Sequence, residues 1–276
     1  MRSIGFLFLI VVACLRCGTN KSNDQSQEPV VVGVDGRKFY QPVRSENVRF
    51  RLDSNFYVAQ NNFEADPSED NYIWLGRREA YRYNYKEAIE IFTRGIQHYP
   101  ESYKLYRHRG HRYITVRDFN NAIQDLQRAA DLMPPDSLEI EHDGQPNKLN
   151  IPLSTIQFNI WYHLGLAHYL TGDFKNAELA YIQCLAVSNN DDLLCATADW
   201  LYMAYRRQGK TNEALELLNP IPEKMSIIEN DSYHKRLMMY KGSLQPEDLL
   251  EVEQANEDPD LAIATQGYGV GNWYLY

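Results

Sequence analysis

A pattern of large and small residues that returns every 34 positions constrains this chain more than any other feature: Tyr72, Leu75, Gly76, Ala88, Phe92, Gly95 and Pro100 come back as Tyr106, Arg109, Gly110, Ala122, Leu126, Ala129 and Pro134. A period of that length fits a helix, a turn, a second helix and a stop, repeated along a stack in which each unit touches only its neighbours. Antiparallel helices approach closely only where side chains are small. Gly76 and Gly110 on the first helices, and Ala88 and Ala122 on the second, therefore mark the crossings. Pro100 and Pro134 end the second helices, because proline has no amide donor and restricts the residue before it.

The pattern continues with altered offsets. Trp161, Leu164, Gly165, Ala177, Tyr181 and Cys184 lie 55 positions beyond their counterparts in the second unit, so 21 residues are inserted ahead of the third. A fourth unit follows at an offset of 37, with Leu201, Tyr205, Gly209, Ala214 and Leu218. Within the insert, Asp143-Gly-Gln-Pro146 and Ile151-Pro152 predict an ordered loop and no further helix. Tyr233, Leu237 and Tyr240, then Pro246 to Glu257, read as a degenerate pair. Gly267 to Tyr276 reads as a first helix whose partner is missing, with Gly267, Gly269 and Gly271 as close-packing glycines.

These residues resemble the tetratricopeptide repeat (TPR) family, specifically in the first three units and fairly in the fourth. Tyr106-Arg-His-Arg-Gly-His-Arg112, Trp161-Tyr-His-Leu-Gly-Leu-Ala167 and Gly267-Tyr-Gly-Val-Gly-Asn-Trp273 also resemble a bacterial TPR subfamily of unassigned function. The resemblance implies an all-α solenoid, a right-handed superhelix of antiparallel helix pairs, and a protein or peptide partner held in the concave groove. It also implies which positions face that groove: Arg77 and Tyr81 in the first unit; Lys104, Arg107 and His111 in the second; Asn159, Tyr162 and Tyr169 in the third; Asp199 and Arg206 in the fourth. The family's carboxylate clamp is not matched, since Ile73, Arg77, His108, Asn159 and His163 stand at its positions.

The N-terminus reads as an address. Met1-Arg-Ser gives a positive start, Ile4 to Ala13 an apolar run too short to span a bilayer, and Gly18 to Glu28 a polar stretch, which is the layout of a signal peptide. Val11-Val-Ala-Cys14 resembles a bacterial lipobox with Cys14 as the lipidation point. Cys17 and simple cleavage are the alternatives. The expected organisation is a signal peptide over 1–17, a flexible tether over 18–46, a capping helix over 47–66, TPR units 1 and 2 over 69–135 and the insert over 136–157. Units 3 and 4 follow over 158–222, the degenerate pair over 223–262, and the first helix of a further, truncated unit over 263–276. Cys184 and Cys195 read as small buried residues.

Charge is unevenly spread. Residues 77–117 hold eight Arg and two Lys against four Glu, in a chain of net charge −9. Several cations and aromatics on one face suit an acidic, extended peptide, with Arg77, Arg107 and His111 as electrostatic anchors and Tyr81, Tyr162 and Tyr169 as flat apolar contacts. The acidic pI of about 5.3 disfavours nucleic acid. His108 with His111, and His163 with His168, lack acidic or cysteine partners at metal-ligand spacing, so no metal site is expected. No hydrolase elbow, phosphate loop or zincin helix appears. The expectation is a non-enzymatic, cofactor-free scaffold in a bacterial envelope, membrane-anchored by an N-terminal lipid and facing the periplasm, or secreted. The alternatives are a small-molecule or glycan receptor with the insert closing over the groove, and an accessory subunit of an envelope enzyme.

Overall fold

The computed structural model describes residues 28–135, 138–251 and 259–276. The signal segment, Cys14 and Cys17 lie outside the described residues. The chain is an all-α solenoid with one short antiparallel ribbon, β1 (Val31–Val32) and β2 (Lys38–Phe39). A leading helix α1 (Glu46–Ala65) precedes four helix pairs: α2 (Glu69–Tyr81) with α3 (Tyr85–His98), α4 (Tyr103–Thr115) with α5 (Phe119–Leu132), α6 (Ile156–Leu170) with α7 (Phe174–Ala186), and α8 (Asp191–Arg207) with α9 (Thr211–Leu218). Three more helices follow, α10 (Asp231–Tyr240), the short α11 (Pro246–Leu250) and α12 (Pro259–Leu275). Each helix of the four pairs packs on the next, and α2, α4, α6 and α8 also touch one another in turn, which makes them the wall of the concave side.

The repeat arises where the small residues permit it. A Cβ on Gly110 would stand 2.8 Å from Leu126 Cγ, and one on Gly165 would stand 2.7 Å from the Tyr181 ring, so a larger residue would push the two helices of the pair apart. Ala88, Ala122, Ala177 and Ala214 have no exposed surface. The turn within each pair needs one left-handed residue. Gly172 (φ 81°) and Gly209 (φ 75°) supply it without steric cost, whereas Tyr83 (φ 71°) and Arg117 (φ 64°) supply it against the usual preference. Ser102, Asp118, Thr155, Asp173 and Asn190 cap helix N-termini by accepting from backbone amides.

Two departures from the sequence reading bear on the site. Residues 18–46 are expected to form a free tether, yet their described part is docked. Val34 donates its amide to the Val116 carbonyl (3.1 Å), Gln41 donates to Arg82 O (3.0 Å), and the Arg44 guanidinium donates to Tyr81 O (2.9 Å) while lying 4.3 Å from the centre of the Tyr83 ring. The strained turns of the first two pairs thus supply acceptors that hold the hairpin. Of the three C-terminal glycines expected to pack closely, Gly269 does, against the Arg236 side chain, while Gly267 and Gly271 face open space. Cys184 and Cys195 are buried free thiols, and burial pushes both up to about 12. No helix among the described residues is long and apolar enough to cross a membrane.

Candidate functional site

The insert is an ordered strap across the concave wall. Its ends are tied by the Glu141 amide donating to Ser154 O (3.0 Å) and the Ile156 amide donating to Glu139 O (2.8 Å), around the bridge between Ile140 and Thr155. Its tip reaches the first pair, where Arg77 Nη2 donates to His142 O (2.8 Å) and Arg78 Nη1 to Gly144 O (2.9 Å). Gly144 lies so close to the Tyr81 hydroxyl that a side chain there would collide with it. On the second pair, Lys104 pairs with Glu139, and Arg107 Nη2 pairs with Glu141 Oε1 at 3.0 Å. On the third, Asn159 Nδ2 donates to Glu141 Oε2 (3.1 Å) and Ser154 Oγ (3.0 Å).

Between strap and helices lies a cavity of about 270 Å³. Arg77 and Tyr81 of α2, Arg107, His108, His111 and Arg112 of α4, Asn159 and His163 of α6, and Glu141 and Asp143 of the strap line it, with Phe92 of α3 as an apolar wall. Arg107 Nη1 lies 3.0 Å from His108 Nδ1 and 3.5 Å from His111 Nδ1. A guanidinium only donates, so both Nδ1 atoms accept and each Nε2 carries the proton. His163 Nδ1 lies 2.6 Å from Asn159 O and therefore donates to it, and its ring packs at 4.1 Å from that of His111. Burial, reinforced by the surrounding arginines, holds His108 and His111 well below the usual histidine range. His163 falls to about 3, by burial first and the Arg107 charge second, against its bond to Asn159 O. All three rings are neutral at pH 7.

Arg112 is the cation the sequence reading passed over. Among the described residues its guanidinium has neither a hydrogen bond nor a carboxylate partner, and it lies 5.8 Å from the centre of the Tyr85 ring. Burial first, then the Arg107 charge, lowers it to about 10. Arg107 is also under-partnered, since its Nε is buried without an acceptor. A spacing signal existed for Arg112 in the stretch Arg107-His-Arg-Gly-His-Arg112, but its position one residue past His111 is not among those that the family resemblance places on the groove.

Of the residues expected on the groove, the cavity brings together Arg77, Tyr81, Arg107, His111 and Asn159. Lys104 is spent on Glu139. Tyr162 lines an adjoining cavity of about 260 Å³, with its hydroxyl 3.2 Å from that of Tyr233. Tyr169 is a correction: it is buried against Phe174 and Trp200, where no partner surface remains. Asp199 is a second, because it is fully buried and paired with Arg236 Nη2 at 2.7 Å, α10 and α12 having filled the groove at the fourth pair. Arg206 lies 4.9 Å from the centre of the Tyr276 ring and donates to Tyr202 Oη (3.1 Å), apart from the cavity. Among the described residues no group of three or more His, Cys, Asp or Glu is arranged to hold a metal ion.

Stacked antiparallel pairs with small residues at their crossings, and a lined concave face, define a helical-repeat binding protein. Residues 158–191, the third pair and its exit, match the family model described as tetratricopeptide repeat, and the fold is an all-α helical-repeat solenoid consistent with that repeat. No curated protein matches it. Among solved structures it is similar to MamA, at 17% identity over 75% of this chain and 100% of that one, with a TM-score of 0.47. It is also similar to TTC0263, a thermophilic TPR protein of Thermus thermophilus, at 15% identity over 80% and 93% of the two chains, with a TM-score of 0.46.

Proposed function

We propose that the chain is an exported, lipid-anchored scaffold that grips a partner protein by an acidic, extended segment laid across the first helices. The observation that supports this reading is the strap itself. Glu139, Glu141 and Asp143 alternate with neutral residues, and the concave wall takes that segment with Lys104 and Arg107 on its first two carboxylates and with Arg77 and Arg78 on its carbonyls. A wall that holds one acidic segment of its own chain has the chemistry to hold another, and Arg suits this because its fork matches carboxylates and carbonyls at fixed angles. The partner's segment then competes with the strap for Arg107.

Competition fixes the sign of the test. Glu141→Gln removes the internal competitor's charge while keeping its shape, so the variant should bind a labelled decapeptide of alternating Glu and Gly about tenfold more tightly than the unaltered chain, a change of about 1.4 kcal/mol. Affinity of both should fall as salt rises. Fluorescence anisotropy reads the result. Failure of both proteins to bind at millimolar peptide, with helical circular dichroism intact, would reject the reading.

Export and anchoring rest on the order of charge, apolar run and cysteine in residues 1–17. Cys14→Ala should abolish incorporation of a fatty-acid analogue and release the chain from membranes, since the Cys14 thiol is the acylation point. Undiminished label in the variant would assign the lipid elsewhere.

A further inference from the structure

With the strap in place, the cavity beneath it still holds cations that no carboxylate among the described residues neutralises. Three guanidinium groups, Arg77, Arg107 and Arg112, line a space that contains two carboxylates. Glu141 is committed to Arg107 and Asn159, and it reaches Arg107 only at Nη2. Among the described residues, Arg107 Nε is left buried without an acceptor, and Arg112 has no carboxylate partner. A buried donor without an acceptor, and a charge without a counter-charge, each cost free energy, and the fold retains both at one place. The neutral groups around them add donors. Arg107 forces His108 and His111 to accept at Nδ1, so both present Nε2–H as donors.

We propose that this cavity is a binding site for a small free anion carrying a carboxylate or phosphate group, with Arg112 as its main anchor and Arg107 Nε and His111 Nε2 as flanking donors. Size decides against a polypeptide. About 270 Å³ lies just below the range of pockets that enclose drug-sized ligands, and the strap is bonded to α2, α4 and α6 across it, so a chain cannot run through while the strap is closed. Lining decides against an apolar ligand, since Phe92 and Ala80 are the only apolar residues among the side chains that face it. This goes beyond the partner reading: the anion needs the strap closed, whereas the partner segment needs it displaced.

The test uses the full chain in phosphate-free buffer at fixed chloride, with inorganic phosphate and succinate as separate probes. A saturating probe, at a hundred times its dissociation constant, should raise Tm by about 5 °C or more. Arg112→Gln should lose at least nine-tenths of that shift. Without probe, the same variant should melt no lower than the unaltered chain, because it removes a half-buried charge that crowds Arg107 and Arg77. A cation that merely supported the fold would show the opposite. Exposed Arg128→Gln on α5 serves as the control and should keep the full response.

A response to phosphate alone assigns a phosphate group, a response to succinate alone assigns a carboxylate, and both results support the site. No shift with either probe at 10 mM, or equal shifts in Arg112→Gln and the unaltered chain, would overturn it. The peptide experiment on Glu141→Gln reports separately. Peptide binding with silent small anions removes this site and leaves the partner reading standing, and the converse removes the partner reading alone.

Discussion

Lowering the pH from 7.5 to 5 should strip about 5 kcal/mol from the stability of this chain, which is a large part of what a folded domain ordinarily has. His108, His111 and His163 are held below the usual histidine range by burial and by neighbouring arginines. In the unfolded chain each takes a proton near pH 6.5, while the folded chain, with His163 at about 3, refuses it. The unfolded state then binds more protons, so stability falls as pH drops below about 6.5. At pH 5, which is about 1.5 below the pH at which the unfolded histidines take their protons, withholding a proton from each costs about 2 kcal/mol. Asp199 works the other way. Burial, against the pull of Arg236, raises it to about 6, so the folded chain gains a proton below that pH that the unfolded chain takes only near 4, which offsets about 1.4 kcal/mol. The balance should lower Tm by about 10 °C, read by circular dichroism at the two pH values. His163→Asn should remove about 2 kcal/mol of the loss, a little under half of it. A Tm that holds or rises on acidification would mean that the histidine cluster takes up protons in the folded state.

How much of this was legible in the sequence depends on whether the contact is local. Gly76, Ala88, Phe92 and their counterparts place the helix crossings because crossings recur, and recurrence survives in one dimension. The offset of 55 at Gly165 locates the insert for the same reason. Where the insert goes is another matter: Glu139 and Glu141 meet Lys104 and Arg107 across about a repeat length of chain, through contacts made once. Nothing periodic announces them. The basic surplus of residues 77–117 was visible, but whether those cations face a partner or the chain's own carboxylates is a three-dimensional property. Arg109 illustrates the difficulty, since it belongs to the same run yet is closed by a bidentate pair with Asp125 (2.7 and 2.8 Å) inside its own repeat. Tyr169 and Asp199 hold groove positions by count. They are buried because α10 and α12 lie where a ligand lies in a regular array, and the degenerate spacing after Leu218 could not reveal that.

Asp199→Asn should be the most damaging conservative change in the chain, at about 3 kcal/mol or more. Arg236 and Asp199 are the partners of an ion pair with 1% and 0% of their side chains exposed, and Arg236 ties three helices together. It starts on α10, meets Asp199 of α8 at 2.7 Å, donates to the Thr265 carbonyl of α12 at 3.2 Å, and lies in the space that Gly269 leaves open. The amide keeps the volume of the carboxylate, so packing is preserved and only the counter-charge is lost. A guanidinium then stays buried beside Met203 and Tyr240 without compensation, and truncating one side of a buried pair costs about 3 to 5 kcal/mol. Arg236→Met should cost less, and less at pH 5 than at pH 8, because the stranded carboxylate escapes by taking a proton where the guanidinium has no such exit. The double change Asp199→Leu with Arg236→Met should recover most of the loss, since well-packed apolar residues can replace a buried ion pair at little cost. Urea unfolding followed by tryptophan emission measures all three, and Trp273 on α12 should respond first if the pair holds that helix in place. Asp199→Asn within 1 kcal/mol of the unaltered chain would show that α8, α10 and α12 are held by their apolar contacts alone.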